Sequence, residues 1–278
     1  IVDYPNYPSD ITEDYVDYIL KVDSIGDKNG IVSGTTKVTK DPVGLKIAKD
    51  TLKVMKASGL LKDGFSYQSG AGGISLAVTD FLRDYMIKEN IKGSFASGGI
   101  TGYLTDMLEE GLFTSLYDVQ CFDLKAIESI KKNANHLRMS GSEYGNPEVS
   151  AVVDNLDVVI LGATEIDLDF NVNVITGADG VLMGGSGGHQ DTAAGAKMSI
   201  IVSKLFSSRL PVIKNRVDVI ATPGTTIDVL VTERGIAVNP LRQDLIEKFK
   251  ENGLNVMTIQ ELKAIADNFM GEPKEIKK

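Results

Sequence analysis

Two short extended runs in this chain break into glycines and then change to helical spacing, and a third strand–helix unit follows at once. Phe65 to Ser69 ends in Gly70-Ala71-Gly72-Gly73 before the apolar periodicity of Ile74 to Ile87. Ser94 to Ser97 ends in Gly98-Gly99 before Tyr103 to Glu110, with Gly111 as the stop, and Leu116 to Phe122 leads to a helix capped by Asp123 and running through Lys132. Parallel strands need crossover connections, so the alternation predicts an α/β fold: a three-layer, open, mainly parallel sheet with helices on both faces. Val158 to Leu161, Ile200 to Val202 and Ile227 to Thr232 read as further strands, the first two near-continuous Val/Ile/Leu runs of the kind buried on both faces. Leu241 to Lys250, stopped at Gly253, and Ile259 to Phe269 read as amphipathic helices before a charged tail that follows Gly271. Asp41-Pro42 opens an earlier helix that Gly59 closes. Residues 1–40, with Pro5, Pro8 and a polar loop from Gly26 to Gly30, read as an N-terminal arm or linker, and 41–278 as one domain.

Composition narrows the function. The 278 residues are 42% hydrophobic, enough for a core, and carry a net charge of −9 with a pI near 4.9. A general nucleic-acid binder needs a basic face, and none is visible. Cys121 is the single cysteine, which excludes an internal disulfide or a cysteine-based zinc site, fits a cytoplasmic location, and suits a small buried apolar role. No apolar run reaches the roughly 18 to 20 residues of a membrane span. Neither a dinucleotide Gly-x-Gly-x-x-Gly nor a triphosphate-gripping Lys-Ser/Thr loop occurs. His136 and His189 are the two histidines and lack His-Glu-x-x-His spacing, so no metal site is expected there. The opening Ile1 lacks an initiator Met, as expected of a piece cut or processed from something longer.

Gly184 to Lys197 carries the densest chemistry: Gly-Gly-Ser-Gly-Gly-His-Gln-Asp-Thr-Ala-Ala-Gly-Ala-Lys. Consecutive glycines can present a concave nest of N–H donors to a carboxylate, phosphate or thioester oxygen. Ser186, His189 and Asp191 also allow a hydrolytic triad. The Gly-x-Ser-x-Gly spelling, however, is preceded only by the short Val181-Leu182-Met183, where a nucleophile elbow needs a strand. Glu165, Asp167 and Asp169 alternate and could orient a hydroxyl, bind a hard cation or form a solvated strand end. Ligands of open α/β sheets lie beyond the carboxyl ends of the strands. The glycine segments 70–73, 98–99 and 184–188 are therefore expected on one rim.

Seven segments carry a resemblance: Val22-Asp23-Ser24-Ile25-Gly26; Ser33-Gly34-Thr35-Thr36 with Thr39-Lys40-Asp41-Pro42; Ser69 to Gly73; Gly98-Gly99-Ile100-Thr101-Gly102; Asp169-Phe170-Asn171-Val172-Asn173-Val174; Ser186 to His189 with Asp191 to Lys197; and Val231 to Pro240. Through them the chain resembles, from Val2 to Gly271, the citrate lyase alpha subunit family, the citrate CoA-transferase component. That family's subunit is about twice as long, with two related halves of CoA-transferase fold, and this chain resembles the second. The resemblance implies transfer from an acetyl thioester to citrate, giving acetate and a citryl thioester, through a mixed anhydride. Many other CoA-transferases carry a nucleophilic glutamate in a Ser-Glu-Asn-Gly stretch, judged to align with Ser97-Gly98-Gly99. It is absent here, which favours attack by the substrate's own carboxylate over an acyl-enzyme.

On this reading Gly98, Gly99, His189 and Asp191 are the catalytic candidates. Gln68, Ser69, Gly70, Gly72, Gly73, Thr101, Asn171, Asn173, Ser186, Gly187, Gly188 and Thr192 are the substrate-binding ones. Lys197, Arg216, Arg234 and Arg242 are candidates for the citrate carboxylates, each weighed against a surface or ion-pair role. No tightly held cofactor is expected, the chain acting on CoA or the carrier's CoA-type prosthetic group. Implied partners are citrate and the acetyl thioester, the acyl carrier (gamma) and lyase (beta) subunits, the subunit's N-terminal half and further copies in an oligomer. Nucleic acid and membrane are not among them, and this portion alone is expected to be inactive. A non-catalytic scaffold half and a sugar-phosphate isomerase are the alternatives.

Overall fold

Asp41 caps a helix as expected: its carboxylate accepts from the Gly44 amide at 3.2 Å and Pro42 takes the first helical position. The helix, α1 (Pro42–Ser58), ends at Gly59 in the left-handed conformation, φ 72°. The computed structural model describes residues 13–27, 36–177, 179–207 and 210–270. In chain order follow β1 (Ser66–Ser69), α2 (Gly73–Glu89), β2 (Gly93–Ile100), α3 (Gly102–Glu109), β3 (Phe113–Cys121), α4 (Leu124–Lys132), β4 (His136–Arg138) and α5 (Gly141–Gly145). Then come β5 (Val158–Gly162), β6 (Glu165–Asp167), β7 (Val172–Asn173), α6 (His189–Gly195), β8 (Met198–Val202), β9 (Phe206–Ser207), β10 (Leu210–Pro211) and β11 (Ile213–Lys214). The last are β12 (Val229–Thr232), β13 (Gly235–Val238), α7 (Gln243–Glu251), β14 (Val256–Met257) and α8 (Ile259–Met270).

Nine strands form one sheet in the order β14-β13-β12-β8-β5-β1-β2-β3-β4, every neighbouring pair parallel except β12 with β13. The chain winds outward from β1 to β4, then returns to place β5 on the other side of β1. Between β1 and β5 the direction of winding reverses, which is where open sheets leave a crevice.

Alternation along the strands divides the core in two. Tyr67, Ala96, Leu116, Val158, Ile160 and Ile200 pack with Ile47 and Val54 of α1, Val78 and Leu82 of α2, Leu104 of α3, Ala126 of α4 and Phe249 of α7. Phe95, Val159, Leu161, Ile201 and Leu230 pack with Tyr144 of α5, Ala193 of α6 and Leu262 and Ala266 of α8. Burying each large apolar side chain contributes roughly 1.5–3 kcal/mol, and the central strands draw on it from both faces.

The structure departs from the sequence reading in three places. The second strand does not stop at Ser97 but runs through Gly98 and Gly99 to Ile100, with its register on β3 shifted between the two glycines. They make a bulge inside the strand, not a turn after it, because glycine alone tolerates φ +97° at position 98. The sheet ends in β13 and β14, which run against the rest, and a small sheet, β11-β6-β7, lies apart. Segment 133–157, unassigned above, holds β4, α5 and a 3-10 turn at Val152–Asn155. Residues 13–27 are exposed, Ile19 at 90%, whereas Thr39 already donates its amide to the Gly73 carbonyl at 3.0 Å. Ser33-Gly34-Thr35, Pro5, Pro8, Gly30 and the tail after Gly271 lie outside the described residues.

Candidate active site

Gln68, on the β1 face opposite Tyr67, lies beside the crevice. Its Nε2 donates to the Tyr144 hydroxyl at 2.6 Å, and its Oε1 accepts from Ser97 Oγ at 3.2 Å. A Cβ on Gly98 would lie 2.8 Å from the Gln68 Cδ, and one on Gly188 would overlap the Tyr144 ring. A buried side-chain bridge thus links β1, β2, α5 and the loop before α6. Burial pushes the Tyr144 hydroxyl up to about 12, so it stays neutral and can accept.

The glycines of the rim fall into two groups. Gly98 and Gly188 make room for Gln68 and Tyr144, Gly99 makes room for the Phe122 ring, and a Cβ on Gly73 would press on the Lys37 carbonyl at 3.1 Å. Gly72, Gly184, Gly185 and Gly187 face open space, nothing lying within 4 Å of where a Cβ would be. Gly72 also caps α2 without any side-chain bond, while segment 37–39 packs against the first residue of that 17-residue helix. Gly70 holds the turn to β5 by donating its amide to the Ile160 carbonyl at 3.0 Å. Ser69 Oγ donates within the same turn, to the Gly70 and Ser75 carbonyls. Thr101 precedes α3 without capping it: Asp123 takes the Gly102 amide at 2.7 Å, and the buried Thr101 Oγ1 has no hydrogen-bond partner among the described residues.

Around α6, His189 is fastened at both ring nitrogens. Nε2 donates to the Gly162 carbonyl at 2.9 Å and Nδ1 accepts from Thr222 Oγ1 at 2.6 Å. The Gly162 acceptor fixes the tautomer, and burial lowers the pKa. The imidazole therefore ties α6 to β5 and to the loop at Thr222, with neither nitrogen turned to Ser186, which removes the triad geometry. Thr192 Oγ1 donates back to the Gly188 carbonyl at 2.9 Å. Asp191 is partly buried against Gly145, and burial raises its pKa. Ser186 and Gly187 lie on the open loop, next to Val181, Leu182 and Met183, the exposed returning arm of a hairpin paired to 175–177.

The remaining candidates are held within the fold. Asn171 is tied to Asp167 and to the Gly224 amide, and Asn173 to Glu165, Thr176 and two backbone amides. Asp167 accepts the amides of Asp169, Asn171 and Val217, while Glu165 pairs with Lys214 at 3.4 Å, so these carboxylates shape a loop. Among the described residues no group of three or more His, Cys, Asp or Glu is placed to hold a metal ion, and no helix is long and apolar enough to cross a membrane. Lys197 pairs with Asp157 and Arg242 with Asp228 and Asp244, while Arg234 lies over the Phe269 ring and Arg216 is exposed. Tyr144, Gly162 and Thr222 escaped the sequence reading. The one signal for the first was Ser140-x-x-Glu143, a capping box that places a helix under Tyr144.

Comparison with known proteins agrees with this fold. The family described as citrate lyase, alpha subunit, matches residues 1–278. Citrate lyase alpha chains from Klebsiella pneumoniae and Escherichia coli are 49% and 47% identical over 99% of this chain, which spans 54% of each, about half the length of these relatives. A citrate lyase alpha subunit from Streptococcus mutans, solved in complex with citrate, superposes with a TM-score of 0.92 at 48% identity, covering 99% of this chain and 55% of that one. A RipA structure shares the fold at 18% identity and TM-score 0.61, covering 84% of this chain and 54% of its own. With the family match running the whole length and close to half the residues shared with its curated members, this chain belongs to the citrate lyase alpha subunit family.

Proposed function

We propose that the complete subunit containing this chain exchanges thioesters between an acetyl group and citrate, and that the glycine rim at the β1/β5 crevice is this chain's share of the site. A citrate carboxylate oxygen attacks the acetyl thioester carbonyl, the C–S bond breaks and thiolate leaves, giving an acetyl–citryl anhydride. The thiolate then attacks the citryl carbonyl, and the C–O bond to acetate breaks. One thioester replaces another, so the protein's task is orientation and stabilisation of two transient oxyanions. The amides at the start of α2, which no side chain caps, and along the open Gly184–Gly187 loop are the donors, with the Thr101 hydroxyl beside the β2 bulge. Asp191 lines this rim, and His189 holds the start of α6 in place without touching substrate.

The observation that carries this reading is the convergence of the β1 and β2 ends and the 184–188 loop on one side-chain bridge, with open glycines on either side of it. The citrate held by the Streptococcus mutans relative supports the substrate. The acyl carrier and lyase subunits, the rest of the polypeptide and further copies are the proposed partners. Exposed Val181, Leu182 and Met183, with Tyr18, Ile19 and Leu20 of the arm, offer the apolar surface such partners would cover. An isomerase reading gains nothing, since Lys197 and Arg242 are paired with carboxylates. Acetyl-CoA and citrate supplied to the complete subunit are expected to give acetate and citryl-CoA, and no citryl thioester would end the proposal. This chain alone is expected to give none.

A further inference from the structure

An amide cradle made of glycines has a physical weakness: glycine is the most mobile backbone residue, and an oxyanion donor helps only when it is fixed before the charge forms. Something must immobilise these turns. Gln68, 6% exposed, is gripped at both ends of its carboxamide by Tyr144 and Ser97 and fills the space a Cβ would take at Gly98. Tyr144, 8% exposed, lays its ring in the space a Cβ would take at Gly188, while its hydroxyl holds Gln68. One tyrosine therefore braces two glycine segments that are 90 residues apart in sequence (188 − 98 = 90).

We propose that Tyr144 is a positioning residue: through Gln68 it fixes the Gly98–Gly99 bulge that leads into Thr101, and through its ring it fixes the Gly187–Gly188 loop, so that the Thr101 hydroxyl and the loop amides address one acyl group at a constant spacing. This rests on the thioester-exchange reading of the rim. It predicts that the hydroxyl matters for turnover and not for citrate capture.

The test uses the complete subunit with acetyl-CoA and citrate. Tyr144→Phe keeps the ring and is expected to lower kcat about tenfold while KM for citrate stays within a factor of about two. Amide hydrogen exchange in peptides covering 93–102 and 184–195 is expected to speed up in the same variant. Gly188→Ala, which displaces the ring, is expected to repeat the kinetic loss, and to cost nothing more in a Tyr144→Ala background where the methyl has room. Unchanged kcat in Tyr144→Phe, a rise in KM alone, or unchanged exchange in both peptides would overturn the inference. A parent subunit without any transfer would remove the proposed function, and the exchange measurement would still decide whether Tyr144 braces the two segments.

Discussion

Gly72 and Gly99 look alike in the sequence but have opposite steric surroundings. At 99 a methyl group would overlap the Phe122 ring, whereas at 72 it would meet nothing and the backbone, φ −68°, suits any residue. Gly99→Ala is expected to destabilise by about 1–3 kcal/mol, with recovery in a Phe122→Leu background. Gly72→Ala is expected to stay within about 1 kcal/mol of the parent while lowering turnover. Urea midpoints and kcat measured on the same preparations check both. The glycine-rich character of the rim was legible, but the division into crowded and open glycines was not, because Gln68, Tyr144 and Phe122 meet them only in three dimensions. The ties of His189 were not legible either, since nothing in the sequence points to Gly162 and Thr222, which take its nitrogens. Its lowered pKa makes the unfolded chain bind the proton more readily, so stability is full above the unfolded value of about 6.5 and falls as pH drops through it. His189→Asn is expected to flatten the difference between denaturation midpoints at pH 5 and pH 7, and an undiminished slope would contradict the assignment. Cys121, read as apolar, donates its thiol to Asp118 at 2.8 Å, and burial with the nearby carboxylate pushes it to about 12. Thiol reagents are expected to label it slowly at pH 8 until the protein is unfolded, and equal rates would refute this.

The helices started by Asp41 and Asp123 were read almost to the residue, because a cap is local chemistry, whereas the capping box of α5 went unread. Asp123 shows more than its sequence position suggests: one oxygen accepts from Ala126 at 2.9 Å to start α4, and the other takes the first amide of α3, Gly102, at 2.7 Å. One carboxylate thus holds two helix starts, and Asp123→Ala is expected to cost more than the roughly 1 kcal/mol of an ordinary cap, read as a lowered denaturation midpoint. A loss below that would show that Thr101, the residue before α3, takes over the cap. Strands of two or three residues, such as β7, β11 and β14, carry no usable periodicity, and β13 runs antiparallel because Glu233 and Arg234, the two residues between it and β12, are too few for a crossover. The β2 bulge was missed for a related reason: two glycines in a row signal either a turn or a bulge, and only pairing to β3 chooses between them.

At the scale of the whole molecule, the winding reversal between β1 and β5 makes a site possible, because it opens a crevice where both strands end. The alternation of strands and helices made the parallel sheet legible, yet the order of its strands follows from which apolar faces fit together across the layers. Exposed apolar residues at 18–20 and 181–183 belong to the same scale, as surface that the proposed partners would cover. The central claim is that fixed peptide amides guide a citrate oxygen onto the acetyl carbonyl with no protein nucleophile between them. One measurement follows that oxygen directly: a single turnover by excess complete subunit on acetyl-CoA and citrate carrying ¹⁸O in its carboxylates. Direct attack leaves one heavy oxygen in the first acetate released. Unlabelled acetate from that first turnover, with the label appearing only later, would place a protein carboxylate in the path and contradict the account.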